Sequence, residues 1–155
     1  MIPIDEYVAR YARSRTTDVT DVLLRSLPEA IALWRSVPGT PAAPLRKSMV
    51  MVDEETGIVE IAGGNTAANA APPSEGDDVR AFGEIVAELL QQMPYNNHRV
   101  ARLVRDCRDG RYATLGEVML AVEKRRSSTL YIFIIAVIAL LIALLALLNH
   151  HAIEQ

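Results

Sequence analysis

The sequence predicts a mainly α-helical domain with one small β-hairpin, followed by a single transmembrane helix. Apolar residues recur at helical spacing through most of 1–126, two short β-branched runs flank a turn, and 130–148 is apolar throughout. We therefore expect a soluble domain over 1–126, a juxtamembrane linker at 127–129, a spanning helix over 130–148 and a short tail at 149–155.

Two helical patterns precede the hairpin. A short helix is predicted over 5–15, where Tyr7 and Tyr11 belong to an apolar face. A stronger helix is predicted over 18–36. Pro28 lies inside that second pattern, and because proline lacks an N–H donor we expect it to kink or split the helix.

The middle of the chain predicts a hairpin and a loop. Apolar, β-branched runs at 48–52 and 58–61 flank a turn that ends at Gly57, as expected for a β-hairpin. The following stretch, 62–76, is rich in small and polar residues and contains two prolines. Such a composition is typical of a loop.

Three helices are predicted after this loop. The first runs to about Met93 and is capped by Asp77 or Asp78, with Asp78 as the preferred cap. The second spans roughly 97–107. The third begins at Thr114, where the sequence Thr-Leu-Gly-Glu fits a capping box.

Composition argues against several functions. The net charge of −3 is too mild for a nucleic-acid binder, and a single cysteine, Cys107, cannot form an intramolecular disulfide. The histidines and Cys107 lack the spacing of metal ligands, and no phosphate-binding glycine loop is present. We expect no cofactor and no bound metal.

The apolar run at 130–148 reads LYIFIIAVIALLIALLALL and contains no charge, proline or glycine. As a helix it would measure roughly 28 Å, close to the hydrocarbon thickness of a bilayer. The alternative is a buried core helix. Three basic residues precede the run, Lys124, Arg125 and Arg126, and juxtamembrane basic residues stay on the cytoplasmic side. We expect membrane lipid as a partner and a cytoplasmic N-terminal domain, in a membrane such as the bacterial inner membrane.

Small residues form a stripe within the apolar run. They recur at spacings of three, four and three, at Ala136, Ala139, Ala143 and Ala146. Small residues let membrane helices approach closely, so this face would support homo-oligomers. The alternative is that alanine is simply common in such helices.

Arginines recur every three residues before the last helix, at Arg99, Arg102, Arg105, Arg108 and Arg111. On a helix this spacing makes a slowly drifting stripe. Two interpretations stay open: a solvated face, or contact with anionic lipid headgroups at about 1 kcal/mol for each residue.

The order of the elements, with several local motifs, resembles the C-terminal lobe of the protein-kinase fold. The hairpin over 49–61 is similar to the one that follows the kinase catalytic loop. Pro72-Pro73-Ser74-Glu75 resembles a loosened Ala-Pro-Glu motif, and Asp78-Val-Arg-Ala-Phe-Gly83 resembles the start of the central kinase helix. Arg108-Asp-Gly-Arg-Tyr-Ala-Thr114 resembles the late segment before the last helix. The resemblance covers about 1–126.

The departures from that family concern catalysis. The chain carries no N-lobe: it has no glycine-rich loop and no strand lysine. Between Trp34 and Lys47, where the catalytic His-Arg-Asp should fall, there is no aspartate and no histidine. Ala62-Gly63-Gly64 stands where Asp-Phe-Gly should follow the hairpin. Phosphoryl transfer depends on those groups, so the resemblance implies a truncated pseudokinase rather than an enzyme.

The resemblance also implies structural roles for three residues. Glu75 and Arg111 would form the buried ion pair that ties the activation segment to the late loop. Asp78 would accept hydrogen bonds from backbone N–H groups of the former catalytic loop. The alternative is that Glu75 and Arg111 are ordinary surface charges.

These observations lead us to expect a non-catalytic, membrane-anchored scaffold or adaptor that binds a cytoplasmic or membrane protein partner. One alternative is a subunit of a membrane assembly, tail-anchored and unrelated to kinases. A second is half of a split kinase, completed by an N-lobe on another chain.

Overall fold

The computed structural model describes the backbone of four stretches: 1–37, 43–63, 73–94 and 98–153. Side chains at 125–132 and 143–153 lie outside the description. The chain divides into two compact units, Met1–Leu120 and Ala121–Gln155. The described residues are mainly helical and include a small antiparallel sheet, which confirms the predicted fold class at that level.

The N-terminal third is helical. Strand β1 (Ile2–Pro3) leads directly into α1 (Ile4–Tyr11). A second helical run follows as three consecutive pieces: α2 (Thr16–Asp21), a π-helical turn (Val22–Ser26) and α3 (Leu27–Ser36).

Pro28 does not end the second run, which is helical on both sides of it. It lies in the first turn of α3, immediately after the π-helical turn, where the Leu27 N–H donates to the Val22 carbonyl five residues back. In a regular α-helix, a proline leaves the carbonyl four residues before it without a hydrogen bond, and its ring clashes with that carbonyl. The wider π-helical turn shifts the hydrogen bonds by one residue at this place. The helix therefore continues through the proline.

The sheet has three strands rather than the two of a simple hairpin. Strands β2 (Val50–Val52) and β3 (Val59–Ile61) pair antiparallel, with Met51 opposite Glu60, as the sequence predicts. Strand β1 adds to the free edge of β2. The sequence prediction missed β1 because two residues ending in proline show no strand periodicity.

The hairpin turn is built around Asp53. Its Oδ1 accepts hydrogen bonds from the Glu55 N–H (3.1 Å), the Thr56 N–H (2.8 Å) and the Thr56 hydroxyl (2.7 Å). Gly57 closes the turn with a φ of 69°, which is the left-handed region. A Cβ at Gly57 would also lie 3.2 Å from Val22 Cγ2, so both backbone angle and space favour glycine.

Three helices follow the second gap: α4 (Glu75–Leu90), α5 (His98–Arg108) and α6 (Leu115–Ile153). At the start of α6, the Glu117 N–H donates to the Thr114 hydroxyl and the Glu117 carboxylate accepts from the Ala113 N–H. The predicted linker at 127–129 is helical in the structure. Two serines and a threonine include no helix breaker, so nothing interrupts the backbone there.

The core of the first unit draws on every helix and on the sheet. Phe82 is its largest fully buried side chain, and α6 contributes Val118 at 0% exposure. Other fully buried members come from α1, the second helical run, β2, α4 and α5: Ile4, Val8, Leu23, Ile31, Val50, Leu89 and Leu103. Burial of each such side chain stabilises the fold by roughly 1.5–3 kcal/mol.

The second unit is the later part of α6. Its described side chains cover 121–124 and 133–142, and in the second stretch all of the large apolar ones are exposed: Phe133, Ile134, Ile135, Val137, Ile138, Leu140, Leu141 and Ile142. Within the described residues, no helix combines the length and apolar character that a membrane crossing requires. The predicted span over 130–148 extends beyond the described side chains at both ends.

Candidate functional site

A buried ion pair joins the end of α3 to the start of α4. Arg35 donates from Nε to Asp78 Oδ2 (2.8 Å) and from Nη2 to Asp78 Oδ1 (2.7 Å). The side chains are only 20% and 6% exposed. The two parallel bonds are the bidentate geometry in which a guanidinium holds a carboxylate most strongly.

Arg35 also organises the segment that follows α3. Its Nη2 donates to the carbonyl of Ala43 (2.9 Å), and its guanidinium carbon lies 4.2 Å from the centre of the Trp34 ring. One side chain thus ties together α3, the chain at 43 and α4. An arginine stays protonated and its donors here are engaged, so this centre positions backbone rather than transferring protons.

Asp78 is therefore not the cap of α4. Ser74 is the N-cap: its hydroxyl accepts from the Asp77 N–H (3.2 Å), and the Asp77 carboxylate accepts from the Ser74 N–H (3.0 Å). The Ser74 hydroxyl, followed by the Ser74 N–H, lowers the pKa of Asp77. The helix begins earlier than predicted, so Asp78 lies in its first turn but past the cap position, where it binds Arg35 and not loop N–H groups.

The expected ion pair between Glu75 and Arg111 is not formed among the described residues; Arg111 instead lies 3.4 Å from Asp106. The C-terminus of α5 explains this. Gly110 has a φ of 71°, and the Arg111 N–H donates to the Asp106 carbonyl while the Gly110 N–H donates to that of Cys107. These two bonds define a Schellman motif, which folds Arg111 back over the last turn of α5.

Two concavities near these contacts are small for a ligand site. One, of about 170 Å³, adjoins the Arg35–Asp78 pair and is also lined by Glu75 and Thr114. The other, of about 260 Å³, lies between the second helical run and the hairpin turn, and four of its lining residues are acidic: Asp18, Asp21, Glu54 and Glu55. Both fall below the roughly 300–1,000 Å³ that is usual for small-molecule sites.

A larger groove lies between α4 and α5. It measures about 440 Å³ and is lined by Ala87, Leu90, Gln91 and Met93 from one side and Ala101, Val104, Arg105 and Arg108 from the other. On α5 the lining residues lie three, four and seven positions after Ala101, a spacing that places side chains on one face of a helix. We name this feature the α4–α5 groove.

The two helices pack closely at Gly83. A Cβ there would lie 3.0 Å from Cys107 Cβ, 3.0 Å from Arg108 Cγ and 3.2 Å from the Arg108 backbone nitrogen. A glycine in a helix interior costs about 1 kcal/mol relative to alanine. Close packing of α4 on α5 accounts for its presence here.

The predicted arginine stripe is exposed on α5 and in the turn after it. Arg99, Arg102, Arg105, Arg108 and Arg111 are all solvent-accessible. Arg111 pairs with Asp106, whereas Arg105 and Arg108 form no ion pair within the described part of the chain. Exposed charge of one sign therefore borders the α4–α5 groove.

The predicted membrane-proximal residues are only partly described. Ala136, Ala139 and Lys124 are exposed. Ala143 and Ala146 of the alanine stripe, with Arg125 and Arg126 of the basic cluster, lie outside the described side chains. Self-association through the stripe stays a prediction.

The described residues contain no group of three or more His, Cys, Asp or Glu side chains arranged to hold a metal ion. No family model, curated protein or solved structure matches this chain. The arguments about its function therefore rest on its own residues.

Sequence reasoning missed Arg35 and Gly110. Arg35 meets a partner 43 residues away, and no local pattern indicates such a contact. The sequence Arg-Asp-Gly at the end of α5, by contrast, is a recognisable helix stop, because glycine is favoured just past a helix C-terminus.

Proposed function

We propose that this chain is a non-catalytic, membrane-anchored interaction protein. In this proposal a helical unit similar to the kinase C-lobe faces the cytoplasm and presents its surface to a protein partner, while the apolar part of α6 holds it at a bilayer. The observation that carries the proposal is the nineteen-residue apolar run, whose described side chains are exposed.

The exposure of that run supports a lipid environment over a protein core. Leu140 is 73% exposed and Phe133 70% exposed. Soluble proteins rarely leave so many contiguous apolar side chains in water. A bilayer would cover them all round, and a helix is the structure that satisfies its own backbone there.

The non-catalytic part of the proposal is supported by the residues at the former catalytic positions. The kinase family uses a lysine, aspartates and an asparagine to hold nucleotide and magnesium. In this chain the corresponding stretch between Trp34 and Lys47 contributes Arg35, and that guanidinium binds Asp78. The polar groups at the junction are engaged in holding helix ends.

Membrane extraction tests the anchor. Leu140→Arg places a charge in the middle of the run and should cost roughly 2.5–3.5 kcal/mol of insertion on translocon scales, whereas Leu140→Ala should cost far less. We expect wild type and Leu140→Ala to resist alkaline extraction, and a chain ending at residue 129 to be released. Retention of the truncated chain in washed membranes would contradict the proposal.

A further inference from the structure

We infer that the α4–α5 groove binds an acidic amphipathic segment of a protein partner, which inserts an apolar side chain between the helices and places carboxylates on the arginine rim. This inference rests on the proposed interaction function and specifies the chemistry of the partner. Its supports are the shape of the groove, its apolar floor and the unmatched charge at its edge.

The floor of the groove is apolar and open. Ala87 and Ala101 have short side chains on facing helices, and Leu90, Met93 and Val104 complete the lining. These small residues leave space in the lining for a side chain from outside. Methionine is unbranched and adapts to differently shaped ligands.

The rim of the groove is basic. Arg105 and Arg108 line it one helical turn apart, and Arg102 lies one turn before them on exposed α5 surface. Two of the nearby acidic residues have other partners: Glu88 pairs with Lys47, and Asp106 with Arg111. Arginine forks bind carboxylates bidentately, so charge complementarity selects an acidic partner.

The geometry suits a helix. Ala101 and Arg108 are seven residues apart, so the lined part of α5 is about 10 Å long, or two helical turns. A partner helix with an apolar residue and with Glu or Asp three or four residues away would present both groups on one face. Recognition of an amphipathic helix in an apolar groove is a common binding mode.

Peptide binding to the full chain in non-ionic detergent micelles tests the inference. The probe is a fluorescent, amidated peptide of about 15 residues built from Leu, Ala and Glu, long enough to form a helix on binding. Two control peptides replace every Glu with Gln or every Leu with Ser. We expect only the first peptide to raise the fluorescence anisotropy.

Two double variants carry the same charge change. Arg105→Glu/Arg108→Glu should weaken the probe's affinity by at least about tenfold, since two attractive charge contacts become repulsive. Arg13→Glu/Arg25→Glu alters two exposed arginines elsewhere in the chain and should leave affinity unchanged.

Ala101→Trp fills the groove from an exposed helix position and should abolish binding. Circular dichroism should show that this variant retains the fold.

Several results would overturn the inference: equal loss in both double variants, binding of either control peptide, or undiminished binding to Ala101→Trp. Failure of the peptide to bind, together with protection of the α5 arginines from phenylglyoxal by phosphatidylglycerol added to the micelles, would assign the rim to lipid headgroups instead. Because the assay is performed in detergent, it does not depend on the anchor. Membrane extraction and peptide binding can therefore fail separately.

Discussion

At the scale of single residues, the Arg35–Asp78 pair joins the end of α3 to the start of α4 through a largely buried contact. A carboxylate that is 6% exposed needs a partner, because an isolated buried charge loses its hydration without compensation. Arg35 provides that partner and also holds the Ala43 carbonyl. The pair therefore secures the placement of three segments at once.

Removal of either member of this pair should destabilise the fold. We expect Arg35→Ala and Asp78→Ala each to lower the free energy of unfolding by about 3–5 kcal/mol, because each leaves a largely buried charge uncompensated. The double variant should lose less than the sum. Urea midpoints in one detergent measure all three. Glu88→Ala, which breaks a more exposed pair, is the control, and additivity of the two single effects would contradict the coupling.

The hairpin turn predicts a specific pH dependence. The Thr56 N–H, then the Thr56 hydroxyl, lowers the pKa of Asp53 below its ordinary value of 3.8. A depressed folded-state pKa stabilises the fold fully above that ordinary value, and the stabilisation is lost as pH falls through the folded-state pKa. Asp53→Ala should therefore melt below wild type near pH 7, and the difference should shrink below pH 3.8.

Thermal midpoints of wild type and Asp53→Ala are compared across that pH range. The difference between them separates the stabilisation by ionised Asp53 from the effects of the other carboxylates. Glu55→Ala changes the neighbouring exposed acid and keeps the backbone N–H that Asp53 binds. It should follow the wild-type profile. A constant difference between Asp53→Ala and wild type down to strongly acidic pH would show that ionisation of Asp53 does not stabilise the turn.

At the scale of secondary-structure elements, packing of α4 against α5 depends on the absence of a side chain at Gly83. A Cβ added at Gly83 would lie 3.0–3.2 Å from atoms of α5, closer than ordinary van der Waals contact, and one of those atoms is backbone. Helix pairs come this close only where one member carries a small residue. The α4–α5 groove is bounded by this contact.

The thermal stability of Gly83 variants should not follow the helix propensity of the new residue. Gly76→Ala, where the nearest atom to a new Cβ is 3.8 Å away, should raise the midpoint slightly because alanine favours helix. Gly83→Ala should not raise it, and Gly83→Val should cost about 1–3 kcal/mol through overpacking. Circular dichroism melts compare the three. A gain for Gly83→Ala equal to that for Gly76→Ala would show that the helices can separate freely.

The helices and the hairpin were predictable because their signals are local. Apolar periodicity located α1, the second helical run, α4 and α5 within a few residues, and Gly57 marked the turn. The cap of α4 was assigned to Asp78 although Ser74 and Asp77 already form a capping box in the sequence. Aspartate and serine are similarly favoured as N-caps, so the acidic residues at 77 and 78 fit the cap pattern as well as Ser74 does.

The contacts between elements were not predictable in the same way. The pairing of Arg35 with Asp78 and the groove beside Gly83 depend on how helices cross, and one sequence contains no measure of that. The expected Glu75–Arg111 pair was wrong because the Schellman motif at Gly110 directs Arg111 to Asp106. A local turn decided which long-range contact could form.

At the scale of the whole molecule, the chain joins a compact helical unit to the exposed apolar part of α6. In our proposal this unit corresponds to the helical C-terminal lobe of the kinase fold. In that proposal the chain binds a protein partner and holds it at the bilayer, and any reaction is catalysed by the partner.

Nucleotide binding tests this interpretation. A site with micromolar affinity would stabilise the native state by roughly 4 kcal/mol at millimolar ligand, which is a large rise in melting temperature. We expect ATP with magnesium to produce no rise, since the lysine and aspartates that bind it in kinases are absent. A saturable rise that disappears in Arg35→Ala would point to a retained nucleotide site.

The π-helical turn at Val22–Ser26 determines the direction in which the side chains of α3 point around the helix axis. An α-helix rotates by about 100° per residue, and a π-helical turn absorbs one extra residue, so α3 is set back by about that angle relative to an unbroken continuation of α2. A chain of the same length that was α-helical throughout this run would turn Arg35 away from Asp78 by about that angle. The wider turn ahead of Pro28 thus supplies the angular offset that brings two charges 43 positions apart into register.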